Sequence, residues 1–150
     1  MRAREQAVAT EVVPTVGFSV EEFSKNGLQF TIFDMSGQGR YRNLWEHYYK
    51  DVGGVIFVLD ATDKVRFCVA KDELETMLGN ADLGADVPVL FFANKMDRPI
   101  AVSAVECVSQ LELDKISDRA WHICPSVATT GEGLETGITW LGNQMGRRRR

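Results

Sequence analysis

The stretch Val87-Pro88-Val89-Leu90-Phe91-Phe92-Ala93 runs straight into Asn94-Lys95-Met96-Asp97. An unbroken apolar run of that length, followed at once by polar residues, reads as a strand buried on both faces that ends in a loop. Val55–Leu59, led in by Gly53-Gly54, repeats the pattern and predicts a second strand of the same kind. Helical segments lie around them. Val65–Leu78 is one, with caps expected from Asp60–Asp63 and an end at Gly79-Asn80. Ser103 with Glu106 three residues later forms a capping box before another. Trp121–Cys124 predicts a short strand, and Leu134–Met145 a closing amphipathic helix. Strands that alternate with helices predict an α/β domain with a mostly parallel sheet.

The N-terminal third reads differently. Val16, Phe18 and Val20 alternate with smaller or polar residues, as do Leu28, Phe30 and Ile32, and Asn26-Gly27 between them favours a two-residue hairpin turn. Residues 16–33 therefore predict an antiparallel hairpin at the edge of the sheet. Asp34–Arg40 breaks the periodicity with two glycines, and Leu44–Tyr49 predicts a short aromatic helix.

Composition bounds the function classes. A chain of 150 residues, 45% hydrophobic and 25% charged, is a single globular domain rather than a disordered or collagen-like one. The longest apolar runs are far short of the roughly 20 residues of a membrane helix. Arg2 and Arg4 have no apolar block behind them, which argues against a secretory leader, and arginine stands at position 2 where myristoylation needs glycine. Three well-separated cysteines, Cys68, Cys107 and Cys124, point to a reducing compartment without a disulfide framework. His47 and His122 have no partners at metal-ligand spacing. The net charge is −4, but Arg147–Arg150 hold four of the 17 basic residues, so the body carries 13 against 21 acidic ones. A body that acidic is a poor nucleic-acid binder. The arginine tail reads as a solvated end, with anionic lipid or nucleic acid as its alternative contact.

Ligands of open α/β sheets bind beyond the carboxyl ends of the strands, and three loops put polar residues there. In Asp34-Met35-Ser36-Gly37-Gln38-Gly39, an aspartate at a strand end suits Mg²⁺, Gly37 lets a backbone N–H approach a phosphate, and Gln38 suits the orienting of a water. A glycine-rich turn with a helix cap accounts for the same six residues. In Asn94-Lys95-Met96-Asp97, the carboxylate suits the N1–H and N2–H of guanine, a pair that adenine does not offer. The lysine stem suits a purine face and the asparagine the tying of loops. A plain polar turn is the other reading. Cys124-Pro125-Ser126, followed by Thr130-Gly131-Glu132-Gly133-Leu134, is on its own no more than a turn ahead of a helix.

In this order and at these intervals the three loops resemble those of the small GTPases, specifically the Arf-like branch. The resemblance runs from about Pro14 to Gln144. Pro14-Thr15-Val16-Gly17-Phe18 is similar to the branch's first switch, Asp34 to Gln38 to its second, Asn94–Asp97 to its guanine-specificity loop, and Cys124–Ser126 to its last base-contacting loop. Phe33–Lys50, reading Phe-Asp-Met-Ser-Gly-Gln-Gly-Arg-Tyr-Arg-Asn-Leu-Trp-Glu-His-Tyr-Tyr-Lys, and Phe91–Asp97 are similar to the ciliary, Bardet–Biedl-linked subgroup. The resemblance implies a small-GTPase (P-loop NTPase) fold, with GTP or GDP and Mg²⁺ as cofactors. It implies Thr15 and Asp34 at the metal, Gln38 as the catalytic residue, and Gly37, Asn94, Lys95, Asp97, Cys124, Pro125 and Ser126 around the nucleotide. It also implies an effector surface formed by Phe18, Phe33 and Tyr48, with a coat-complex protein of the Bardet–Biedl type as partner, and residence in the cytoplasm, the cilium or basal body, and the membrane periphery. Ordinary core positions are the competing reading of the three aromatics. On this scheme residues 1–13 precede the family domain, residues 14–145 form it, and residues 146–150 are a basic tail.

Two departures stand out. The phosphate-cradling motif G-x-x-x-x-G-K-[ST] occurs nowhere in the sequence. The expected fold is accordingly N-terminally truncated, without the first strand, phosphate loop and first helix, and the membrane-meeting amphipathic helix of the branch is not found ahead of Pro14. Each charge-assisted phosphate bond is worth about 1.5–3 kcal/mol. Losing four or five, with the lysine, removes on the order of 10 kcal/mol, about seven decades of affinity. Second, Pro125 stands where the family usually has alanine, whose N–H reaches the guanine oxygen; proline has none, a loss of about 1 kcal/mol. Impaired nucleotide binding is the expectation. The alternatives are a nucleotide-independent effector-binding module and an incomplete gene model or isoform. A dinucleotide-binding domain is excluded, since no strand leads into G-x-G-x-x-G.

Overall fold

The computed structural model describes residues 18–25, 28–35 and 39–148. The hairpin consists of β1 (Phe18–Lys25) and β2 (Leu28–Met35), antiparallel, with Lys25 opposite Leu28 and Phe18 opposite Met35. The expected Asn26-Gly27 turn lies outside the described residues. The second strand runs further than the sequence suggests. Asp34 and Met35 still pair with Ser19 and Phe18, so the glycine-rich break begins after Met35 rather than at Asp34. Gly39–Asp51 then forms a run of 3-10 turns, longer than the helix expected over Leu44–Tyr49. Its Tyr49 is buried, whereas Tyr48 is only half-buried.

The parallel sheet has the order β3 (Val55–Asp60), β4 (Val89–Asn94), β5 (Trp121–Pro125). The hairpin forms a sheet of its own, and no described strand joins the two. β4 is buried along five of its six residues, as its apolar run requires. Val89, Phe91 and Ala93 enter a core with Leu59, Phe67, Leu74, Met77, Cys107 and Leu111. Leu90 and Phe92 enter a second core with Cys124, Ile138 and Leu141. These are the two sides of a doubly covered strand: α1 (Phe67–Leu78) and α2 (Ala104–Leu111) supply one, α3 (Leu134–Arg148) the other.

β3 departs from expectation. Leu59 is buried, but Val58 is 61% exposed: among the described residues β3 is an edge strand, and no described element covers Val58. The cap at Asp60–Asp63 is also corrected. A 3-10 turn, Lys64–Arg66, precedes α1, and neither Asp63 nor Arg66 caps with its side chain. The Ser103 cap is present, its Oγ accepting from the Glu106 N–H at 3.1 Å. The Glu106 carboxylate meets Lys64 at 3.3 Å. Cys68, Cys107 and Cys124 are all free; burial pushes the Cys107 and Cys124 thiols up, which keeps them protonated and inert. Among the described residues no helix is long and apolar enough to cross a membrane.

Candidate functional site

Three strand ends converge at the carboxyl edge of the parallel sheet. In register, Asp60 of β3 stands beside Asn94 of β4, and Ala93 beside Pro125 of β5. Backbone bonds carry the contact beyond the strands. The Ala61 N–H donates to the Asn94 carbonyl at 3.1 Å, the Ser126 N–H to the Ala93 carbonyl at 2.9 Å, and the Met96 N–H to the Ser126 carbonyl at 3.2 Å. The loops after β3, β4 and β5 thus form one layer of interlocked turns.

Asn94 is the knot in that layer. Its side-chain oxygen accepts from the Ser126 hydroxyl at 3.3 Å and from the Ala128 N–H at 3.0 Å. Ser126 is only 1% exposed, so a polar side chain is buried here with its partner supplied, which fixes the geometry of both loops. Lys95 adopts a left-handed backbone, φ 66°, which turns the chain sharply out of β4. Its ammonium reaches back to Asp60 Oδ2 at 2.9 Å. Partial burial on its own raises the Asp60 carboxyl, but the hydrogen bonds from Lys95 and Thr62 outweigh it and hold the group below its ordinary value. Asp97, two residues past Lys95, is exposed, and its carboxylate carries no hydrogen bond or ion pair among the described residues.

On the β5 side, Cys124 and Pro125 belong to the strand rather than to the loop expected from the sequence, and Cys124 is buried while Pro125 is exposed. The glycine-rich turn that follows closes on itself. The Val127 N–H donates to the Glu132 carbonyl at 3.0 Å and the Gly131 N–H to the Val127 carbonyl at 2.8 Å, with Gly131 and Gly133 both at positive φ. The candidate residues Asn94, Lys95, Asp97, Cys124, Pro125 and Ser126 are therefore brought together.

The other candidates stand apart from this cluster. Asp34 and Phe33 lie in β2 and Phe18 in β1, where pairing register puts Phe18 and Phe33 on one face of the hairpin and Asp34 on the opposite one. Tyr48 belongs to the 3-10 segment. Thr15, Gly37 and Gln38 lie outside the described residues. Sequence reasoning missed Asp60, which it assigned to a helix cap, and Ala128. The signal for Asp60 was available: it ends β3 as Asn94 ends β4, each a polar residue directly after an apolar run.

Residues 2–145 match the ADP-ribosylation factor family. The chain belongs to the ADP-ribosylation factor family. Within that family it is an Arf-like small GTPase related to Arl6. ADP-ribosylation factor-like protein 6 of Danio rerio is 55% identical over 140 residues, covering 93% of this chain and 75% of that protein. The Arl6 BBS3 small GTPase of Trypanosoma brucei, solved with the bound nucleotide analogue GppNp, superposes with a TM-score of 0.87. It is 39% identical, with 97% of this chain and 90% of that one covered. The family accounts for the α/β architecture and for the cluster of loops at the carboxyl edge of the sheet.

Proposed function

We propose that this Arf-family chain reads a guanine base with Asn94–Asp97 and Cys124–Ser126, and serves as a switch-type protein of ciliary and vesicular membrane trafficking. The observation that carries the reading is the exposed Asp97 carboxylate, without a hydrogen bond or ion pair among the described residues, on a loop tied down by Asn94. A guanine edge offers two adjacent donors, and a carboxylate with both oxygens free accepts both. Lys95 supplies an apolar stem against the ring, and Asn94 with Ser126 sets the distance between the two base-contacting loops. The GppNp bound by the trypanosomal relative supports a guanine nucleotide as the ligand class.

On the phosphate side the proposal assigns Gly37 to a backbone contact, Gln38 to positioning a water, and Thr15 and Asp34 to Mg²⁺. Bound Mg²⁺ supplies charge neutralisation at the phosphates. The effector surface is assigned to Phe18, Phe33 and Tyr48, facing a coat-complex partner. The β1–β2 register puts Phe18 and Phe33 on one face of the hairpin, and Tyr48 is partly open to solvent.

A polypeptide of this sequence contains no phosphate-cradle motif and has proline at position 125, so its affinity for GTP and GDP is expected no tighter than about tens of micromolar. Titration of the full chain with a fluorescent guanine nucleotide checks this. Submicromolar binding overturns the weakened site. Asp97→Asn should lower whatever affinity is present, and an unchanged value in that variant overturns the assignment of guanine to Asp97.

A further inference from the structure

The Asp60 carboxylate is held at both oxygens. Oδ1 accepts from the Thr62 N–H at 2.9 Å and from its hydroxyl at 2.6 Å, which fixes the carboxylate plane. Oδ2 is thereby aimed across the strand ends, where it accepts from Lys95 Nζ at 2.9 Å. Neighbouring charges are already engaged elsewhere: Arg66 pairs with Asp63 at 3.1 Å, and Lys64 with Glu106 at 3.3 Å. Lys95 is a flexible four-carbon chain on a left-handed backbone position, and a lysine in that setting without an anchor samples many rotamers.

We infer that Asp60 is a positioning residue of the base site, acting through Lys95. It draws the ammonium across the carboxyl ends of β3 and β4 and so lays the lysine stem down as a fixed apolar floor for a purine ring. Asp60 has no contact with the base. Its contribution is to remove, before the ligand arrives, the rotamer freedom that Lys95 would otherwise lose on binding. The inference rests on the reading of Asn94–Asp97 as the base loop, and it adds a residue from a different strand to that site. The pair is partly open to water, 39% exposed at Lys95 and 37% at Asp60, so its strength falls as salt is added.

The test uses the full isotope-labelled chain and GDP as the probe, with Asp60→Asn, Lys95→Met and the double variant. Asp60→Asn keeps an oxygen for Thr62 and removes the charge that holds Lys95. In the ligand-free chain, the Lys95 ammonium proton signal should be protected in the parent and lost in Asp60→Asn, with the melting temperature little changed. GDP affinity should fall about three- to fivefold in Asp60→Asn, the size of one partly exposed ion pair. Adding Asp60→Asn to Lys95→Met should change nothing further, which a merely structural role for Asp60 would not produce. An ammonium signal that is absent in the parent or survives in Asp60→Asn overturns the inference. So does GDP affinity that is unchanged in Asp60→Asn, or effects that add in the double variant. A parent chain that shows no response to GDP overturns the guanine-binding proposal instead, and the ammonium signal then decides on its own whether Asp60 fixes Lys95.

Discussion

Gly133 lies so close to the carbonyl of Pro125 that a Cβ built on it would come within 2.1 Å of that oxygen. Its φ of +84° is in the left-handed region as well. Two independent constraints, backbone conformation and the absence of space, thus demand glycine at this one position. The close approach lets α3 start directly against the end of β5. It also closes the turn that presents Ser126 to Ala93 and Asn94.

Gly133→Ala should therefore be among the most damaging small substitutions in the chain. The positive φ costs about 1–3 kcal/mol, and pushing a backbone carbonyl aside costs about as much again. A loss of at least about 2 kcal/mol is expected in urea unfolding, with the amide resonances of Ser126 and Ala128 displaced. A variant as stable as the parent shows that the β5 end yields more easily than this geometry implies.

Two other glycines, both within α3, separate packing from helix propensity. A Cβ at Gly137 meets the Phe92 ring at 2.6 Å, while one at Gly146 meets nothing within 4 Å. Alanine is the better helix former by about 1 kcal/mol at either position. At Gly137 the overpacking penalty of about 1–3 kcal/mol opposes that gain, so Gly137→Ala should destabilise. Gly146→Ala should stabilise by up to about 1 kcal/mol. Thermal melts of the two variants should shift in opposite directions, and shifts of the same sign overturn the account.

Glu112, at the end of α2, holds a left-handed backbone and pairs with Lys115 and Lys71. The hydrogen bonds from Lys115 and then Lys71 pull its carboxyl down from 4.5 to about 2. A depressed folded value means that the pairs contribute stability above the unfolded value and lose it as pH falls from about 4.5 toward about 2. Asp60 is depressed too and acts in the same direction. Glu112→Gln should flatten the acid side of the stability profile in that window and leave the slope near neutrality unchanged. An identical acid limb in parent and variant removes Glu112 from the explanation. The effect should also shrink in high salt, since the pairs are partly open to water.

Local pattern determined much of this protein. The apolar run Val87–Ala93 gave the central strand and the polar loop after it, because a strand covered on both faces has no place for polar residues until it ends. The alternation in residues 16–33 gave the hairpin, and Asn94–Asp97 and Cys124–Ser126 marked the edge where the candidate site forms. Residue type at fixed spacing carries that information because strand pairing and loop chemistry are local.

Only the tertiary structure decided which of these residues meet. Val55–Leu59 looked like Val87–Ala93, yet Val58 is exposed, because coverage is set by which elements pack against a strand and not by the strand's own sequence. Asp60 read as a helix cap, yet the parallel register of β3 with β4 sets it beside Asn94 and within reach of Lys95, 35 residues further along. Gly133 read as one glycine of an ordinary turn, and its need for glycine appears only when the Pro125 carbonyl is placed against it. Contacts between residues far apart in sequence depend on register and layer order, and both are properties of the assembled sheet.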